Sequence, residues 1–471
     1  MSSNDEFDFL KNYLPESKET EPNKAKYNFE AVYDIEKTTV KPQEKITAIK
    51  QKKLKKTLKK KSIIIILTVI AVIAAVATLI FIKCCSGAKD ESQYLFHQGL
   101  TSVKDESGKW GYVNEKGKEI IEPKFDYADA FASNGLAAVG VYNDEGIMEY
   151  GYIDKKGKYV IEPMYSDAYS FAENGLAVVA EEDKYGYIDK KGNYKINPQF
   201  DYAYGFEDDK YAKVASFSND GTKYGFIDKN GEFLVKYKFD DSLPFNEGYA
   251  AVYEDGKWGF INEKGKFVIE PEYDLVTNFE NSYAAVREDE KWGFIDKRGK
   301  YIAEPEYVDV YSFSENGLAA VCEDGEWGYI NKKGEIVIKT KYEDALTFSE
   351  DGYAAVREDG LWGIIDKKGE WVVKPEYSNV YSFFKIYPYY SNYKFESKTG
   401  VVNGKFFAVK DGKVYNVDKK GNETELDDID GIYELYEDYI VVIENSEYGV
   451  MDWNGEMVIN TKYLAIDNYK Y

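Results

Sequence analysis

One turn recurs ten times along this chain, and a chain of near-identical copies buries its apolar surface only by packing each copy on the next. The turn has the form Asp/Asn-x-x-Gly and begins at Asn114, Asp154, Asp189, Asp228, Asn262, Asp296, Asn331, Asp366, Asp418 and Asp452. Most successive turns are 34 or 35 residues apart, and the widest gap, 52 residues, precedes the ninth. Four residues before each turn stands Trp110, Tyr150, Tyr185, Tyr224, Trp258, Trp292, Trp327, Trp362, Val414 or Tyr448. A glycine follows that residue in every copy except the ninth, which has Val414-Tyr415.

The clearest copy, residues 248–274, reads GYAAVYEDGKWGFINEKGKFVIEPEYD. Asp or Asn at the first turn position and Gly at the fourth suit a type I turn closed by a left-handed residue, the G1-bulge hairpin. The flanking runs WGFIN and KFVIE are aromatic and β-branched and read as strands. Upstream, YAAVYEDGKW forms a second hairpin around Glu-Asp-Gly. Each unit is therefore expected to be a three-stranded antiparallel meander followed by a connector of about ten residues. Pro123, Pro163, Pro198, Pro271, Pro305 and Pro375 each lie six residues after a turn glycine, where proline ends a strand or marks an edge. The aromatic content of 16% is then mostly core, and the glycine beside each Trp admits close approach of a neighbouring strand or ring.

The pattern KWGYVNEKGKEIIEPKFD, residues 109–126, resembles the WG-repeat family, bacterial membrane-attached or secreted β-repeat proteins, and the resemblance covers roughly residues 94–471. It implies an all-β repeat array, propeller-blade-like or an open twisted solenoid, and no general enzymatic activity. Closed propellers usually have 4–8 blades of four strands, so ten meanders favour an open array or two smaller closed groups. The stretches near 94–105 and 456–471 are the expected end caps.

Upstream of the repeats, residues 62–82 run without a charge as SIIIILTVIAVIAAVATLIFI. As a helix this segment spans roughly 31 Å, matching a hydrocarbon core of about 30 Å. Nine lysines lie between Lys45 and Lys61, and only Lys83 and Lys89 follow the run before Asp90. The positive-inside rule places the N-terminus in the cytoplasm and the repeats outside the cell. The expected organisation is a disordered cytoplasmic tail at 1–61, a transmembrane helix at 62–82, a juxtamembrane linker at 83–93 and an extracellular β-repeat domain at 94–471. Membrane lipid is then a partner of residues 62–82, and the 45–61 lysine run lies against anionic headgroups. Cys84 and Cys85 read as two thiols at the membrane edge.

Chemistry is sparse. The chain has one His (His97) and three Cys, which excludes multi-His metal sites and a disulfide-stapled scaffold. No nucleophile elbow or P-loop is present, and no cofactor or metal is expected. The Asp-Lys-Lys-Gly turns put lysines where a calcium loop needs oxygen ligands. His97 reads as a solvated residue. Residues 83–471 carry a net charge of −28, which repels phosphate backbones, so nucleic acid is not an expected partner.

Two features remain as candidate ligand-binding sites. Acidic pairs such as Glu288-Asp289 and Glu358-Asp359 mark one end of the middle strand, and basic pairs such as Lys332-Lys333 and Lys367-Lys368 mark the other. Stacked in register, the basic ends form a ladder for an anionic cell-wall polymer. The insertion before the ninth turn carries Tyr381, Tyr387, Tyr389, Tyr390 and Tyr393, a cluster of contact-forming rings for a glycan or protein. The reading is a non-catalytic cell-surface binding or scaffolding module on a single-pass anchor. The alternatives are a carbohydrate-active enzyme using carboxylates and a transmembrane sensor; the enzyme needs unique carboxylates facing each other, the sensor a cytoplasmic domain.

Overall fold

The computed structural model describes residues 94–471 except 207–209, 385–397, 403, 428 and 468–471. Residues 90–471 make one compact unit. The expected transmembrane segment at 62–82 lies outside the described residues, and among the described residues no helix is long and apolar enough to cross a membrane.

The repeat folds as ten blades, each a four-stranded antiparallel sheet rather than the expected three-stranded meander. In the fifth blade the strands in order are Asp241–Ser242, Tyr249–Glu254, Lys257–Asn262 and Phe267–Tyr273. The extra, first strand comes from the connector. It is two residues long in most blades, follows the previous blade's fourth strand after a single residue, and pairs with the second strand through Asp241↔Tyr253 and Ser242↔Val252.

The turns form as their residues dictate. Asn262 heads the hairpin between third and fourth strands: Gly265 N–H donates to its carbonyl at 2.8 Å, and Lys264 N–H donates to its side-chain oxygen at 2.9 Å. Gly265 sits at φ +66°, the left-handed region that glycine enters without a steric cost. The hairpin between second and third strands is a two-residue turn with both central residues at positive φ, Asp255 at +52° and Gly256 at +84°, a type I′ geometry that matches strand twist.

The Trp-Gly pair and the distant proline are two halves of one feature. The fourth strand bulges between Trp258↔Tyr273 and Phe260↔Ile269, passing four residues for two on its partner. A β-carbon at Gly259 would lie 2.6 Å from the Pro271 nitrogen and 2.7 Å from the Ile269 carbonyl oxygen. Gly259 is thus the residue over which the bulged strand folds. Pro271 stands where the ladder is interrupted, on the edge strand, so its missing N–H costs no ladder bond.

The ten blades close into a ring. Ala465–Ile466, at the C-terminal end, adds to the N-terminal sheet through Val103↔Ile466 and Lys104↔Ala465 and supplies the first blade's missing strand. This overturns the expected open array: the two end stretches pair with each other instead of capping free ends. The same contact joins successive blades. Each third-to-fourth turn glycine sits on the fourth strand of the preceding blade: a β-carbon at Gly299 would meet Ile269, at Gly369 Ile338, and at Gly117, across the closing seam, Val458 and Ile459. Leu95, Phe96 and His97 are buried beside that seam, and Leu95 N–H donates to Asp438 at 2.9 Å. His97 is therefore not the solvated residue its isolation in sequence implied.

The aromatic surplus is core. Trp110, Trp258, Trp292, Trp327 and Trp362 are all buried between blades. Two residues further along, Tyr112, Tyr152, Tyr187 and Tyr329 are wholly enclosed, and burial pushes their hydroxyls far above the ordinary tyrosine range. Each of these hydroxyls donates to a backbone carbonyl 17 residues on, Tyr329 to Leu346 at 2.7 Å and Tyr112 to Asp129 at 2.6 Å.

Candidate functional site

Antiparallel blades sort their connections onto two faces of the ring. The first-to-second and third-to-fourth turns share one face; the second-to-third hairpins and the crossovers between blades share the other. The basic pairs lie on the first face, where they meet the acidic Ser-Glu-Asn-Gly type turns. Lys297 Nζ is 3.0 Å from Glu247, and Lys210 is 2.6 Å from Glu263. This face is mixed in charge rather than uniformly basic.

Its lysines are of two kinds. In three pairs the first residue reaches back to the preceding blade: Lys297 lies 5.4 Å from the Tyr249 ring, Lys332 5.6 Å from Tyr283 and Lys419 6.0 Å from Tyr353. Lys155 donates to the Gln98 carbonyl, and in the tenth blade Trp453 takes the place, its carbonyl accepting from Lys405 at 2.7 Å. These side chains fasten blade to blade. Lys332 belongs to that set, whereas the stem of Lys367 lies against Gly352 of its own blade. The second residue of each pair stands outward: Lys116, Lys156, Lys191, Lys264, Arg298, Lys333, Lys368 and Lys420 are all exposed. Lys333 and Lys368 make backbone bonds to Asn331 and Asp366 that fix the turn. All four predicted lysines are exposed, Lys332 while also reaching over the Tyr283 ring.

The opposite face is also bridged. Lys109, Lys223 and Lys257 reach Asp126, Asp240 and Asp274 at 2.5–2.6 Å, and Lys184 bonds Asp201. Each of these aspartates is the single crossover residue between blades. Three also cap the next blade's hairpin, as Asp274 accepts from Asp289 N–H at 3.1 Å and Asp201 from Phe217 N–H at 2.8 Å. Sequence reasoning missed these pairs, although a lysine before the Trp-Gly position and an aspartate 17 residues later recur in the copies.

Tyr381 sits in the ninth blade, where its backbone N–H donates to Phe407 and its ring packs with the Phe407 and Leu435 cluster. It occupies the position that Tyr311 holds in the seventh blade, inside the repeat and not in the insertion. Tyr387, Tyr389, Tyr390 and Tyr393 lie outside the described residues. No group of three or more His, Cys, Asp or Glu poised for a metal ion occurs among the described residues. Cys322 is buried, and desolvation raises its thiol above the usual range.

The family model described as "WG containing repeat" matches residues 110–143, 150–185, 185–215, 224–258, 258–292, 292–327, 327–362 and 362–385, together more than half of the chain. The chain belongs to the WG containing repeat family. The eight matched WG repeats begin at the Trp or Tyr of the first eight blades; the ninth and tenth blades, led by Val414 and Tyr448, fold alike without a match. No curated protein matches the chain. Among solved structures it is similar to a eukaryotic initiation factor at 11% identity and TM-score 0.46, covering 78% of this chain and 96% of that one. It is also similar to Kluyveromyces lactis Hsv2 (10%, TM-score 0.27, covering 53% and 88%) and to a chain of a nidogen/laminin complex (9%, TM-score 0.25, covering 43% and 90%). At these scores the likenesses carry no functional inference.

Proposed function

We propose that this WG-repeat ring is a non-catalytic binding or scaffolding module, displayed outside the cell on a single-pass anchor at residues 62–82. The observation that carries the reading is the exposed basic residue repeated from turn to turn on one face. In several turns one residue fastens the blades, and the next, basic in eight of ten blades, stands exposed in solvent, the Arg298 charge being paired with Asp296. A ring of like side chains spaced one per blade suits a repetitive anionic polymer, such as a cell-wall glycopolymer. It would grip several weak points at once, with avidity supplying the affinity. The predicted Lys333, Lys367 and Lys368 are retained as contacts; Lys332, over the Tyr283 ring, also holds the scaffold.

Protease added to intact cells should digest the repeats and spare an N-terminal tag; the reverse outcome sinks the topology. Binding of an anionic polymer should weaken steeply with salt, because exposed charges are screened over ~8 Å at physiological ionic strength. Lys333→Glu with Lys368→Glu should reduce it severalfold and leave the melting temperature unchanged. Salt-insensitive binding would count against the rim.

A further inference from the structure

Five large apolar side chains are more than half exposed among the described residues, and three of them belong to the second blade: Tyr142 at 59%, Ile147 at 55% and Met164 at 58%. The strands of that blade are Tyr127–Ala128, Leu136–Tyr142, Met148–Asp154 and Tyr159–Tyr165. Its second-to-third hairpin is the longest in the ring. Residues 141–149 stand between the paired Gly140 and Tyr150, where residues 254–257 suffice between Tyr253 and Trp258. The tip closes on a turn in which the Asn143 side-chain oxygen accepts from the N–H groups of Glu145 and Ile147, both at 3.0 Å. It extends past the third blade's hairpin by about two residues per strand, roughly 7 Å.

Alternation turns Tyr142 toward the third blade, the side on which Ala138 and Tyr152 pack with Ala177 and Val179. The hairpin is fixed at its root. Asp126 accepts from Tyr142 N–H at 3.2 Å, and the Met148 sulfur lies where it would come within 2.9 Å of a β-carbon at Gly140. Met164 precedes Tyr165 as Lys238 precedes Phe239 and Lys341 precedes Tyr342. Those two lysines pair with the acid that ends the next blade's second strand, Lys238 with Glu254 at 2.9 Å and Lys341 with Glu358 at 3.3 Å. At Met164 the ammonium is replaced by a thioether. The corresponding acid, Glu181, is exposed, and among the described residues its partner is the Tyr194 hydroxyl at 2.8 Å. Asp144, Glu145, Glu182 and Asp183 on the same two hairpins are exposed as well, while the nearby Lys184 is taken by Asp201.

We propose that this end of the second blade docks a protein partner through a segment that sets arginine or lysine among apolar side chains. An exposed apolar patch rimmed by charge is the usual form of a protein interface, and tyrosine and methionine are enriched at its centre. Tyr142, Ile147 and Met164 supply that centre, on a hairpin held in place before any partner arrives. The rim supplies carboxylates without the lysine that other blades provide, so the partner brings the cation, and its aliphatic stem lies along the ring and thioether. A second copy of this chain would set the same carboxylates against themselves, and an anionic bilayer would be repelled by them. The site lies on the face opposite the lysine rim, goes beyond the polymer reading and does not depend on it.

The test uses the full-length chain in non-ionic detergent micelles and a fluorescein-labelled octapeptide of alternating arginine and leucine. Anisotropy should report binding, and the matching glutamate–leucine octapeptide should not bind. Met164 is its own reporter: bound peptide should slow its oxidation by hydrogen peroxide at least threefold and leave Met457, 39% exposed on the tenth blade, unchanged. Tyr142→Ser with Ile147→Ser should weaken binding at least tenfold in the same micelles, with the melting temperature unchanged because both side chains stand in solvent. Glu181→Gln, Glu182→Gln and Asp183→Asn together should weaken it severalfold and flatten its dependence on salt. Absence of binding, equal protection of Met457, full affinity in the serine pair, or equal binding of the glutamate–leucine peptide overturns the proposal. So does a dimer in sedimentation that the serine pair abolishes, which would make a second copy the occupant. Lys333→Glu with Lys368→Glu should leave peptide binding intact, so this proposal and the polymer reading fail separately.

Discussion

At Gly259 the atoms that a β-carbon would strike, the Pro271 nitrogen and the Ile269 carbonyl oxygen, are both backbone and cannot step aside. At Gly256 the surrounding space is open, with nothing within 4 Å of such a carbon, and only φ of +84° resists a side chain. Gly259→Ala should therefore cost more than Gly256→Ala, about 2–3 kcal/mol against about 1 kcal/mol, in thermal denaturation. Equal costs would contradict the bulge contact. Gly265→Val strains a left-handed position and also drives a carbon to 2.6 Å from Val235 of the preceding blade, so exchange protection should fall in the fourth blade as well as the fifth. The special conformation of the turn glycines was legible because few other residues explain a glycine at that spacing. The double duty of lysines such as Lys297 was not, because a charge in a turn looks the same in sequence whether it is solvated or lies over a neighbour's ring.

The hairpins between third and fourth strands are held by their leading carboxylates. Asp189 is desolvated slightly, which opposes ionisation, yet the N–H groups of Lys191 and Asn193 and the Lys195 ammonium hold its carboxyl well below the ordinary 3.8. Asp228, Asp296, Asp418 and Asp452 are lowered too: partial burial is opposed by turn N–H donors at Asp228 and Asp452 and first by the Arg298 guanidinium at Asp296, while at Asp418 the Asn422 side chain contributes most. A carboxyl depressed in the folded state stabilises fully above its unfolded value and loses that contribution as pH falls through the folded one. Stability should hold down to about pH 5 and decline below about pH 4, with several blades failing together. Asp189→Asn should retain the turn bonds and flatten the acid limb measured by circular dichroism; an unchanged acid limb would argue against these turns as its source. Within the core, Tyr329→Phe leaves the Leu346 carbonyl without its donor and should lower stability by about 1 kcal/mol. Strands two to four were readable from alternation and turn residues. The first strand was not, since two residues such as Asp241-Ser242 carry no period.

Over the whole molecule, the number of units was readable and their closure was not. A count of ten argued against a ring only by comparison with common propellers, whereas closure depends on one contact repeated at every seam. The turn glycine that seats Gly299 on Ile269 seats Gly117 on Val458 and Ile459, so the last interface is built like the others. The deciding signal, Ala465-Ile466 at the C-terminal end, is again too short to read as a strand. The pairing bond from Asp467 N–H to Ser102 carbonyl, 2.9 Å, makes Val103 and Ile466 a non-hydrogen-bonded pair, the geometry in which opposed side chains come closest. The most direct test is mild oxidation of a chain carrying Val103→Cys and Ile466→Cys, followed by mass spectrometry of the unreduced tryptic digest. A closed ring predicts one peptide pair joining positions 103 and 466 within a monomer; free thiols at both positions, or links only between molecules, would contradict it.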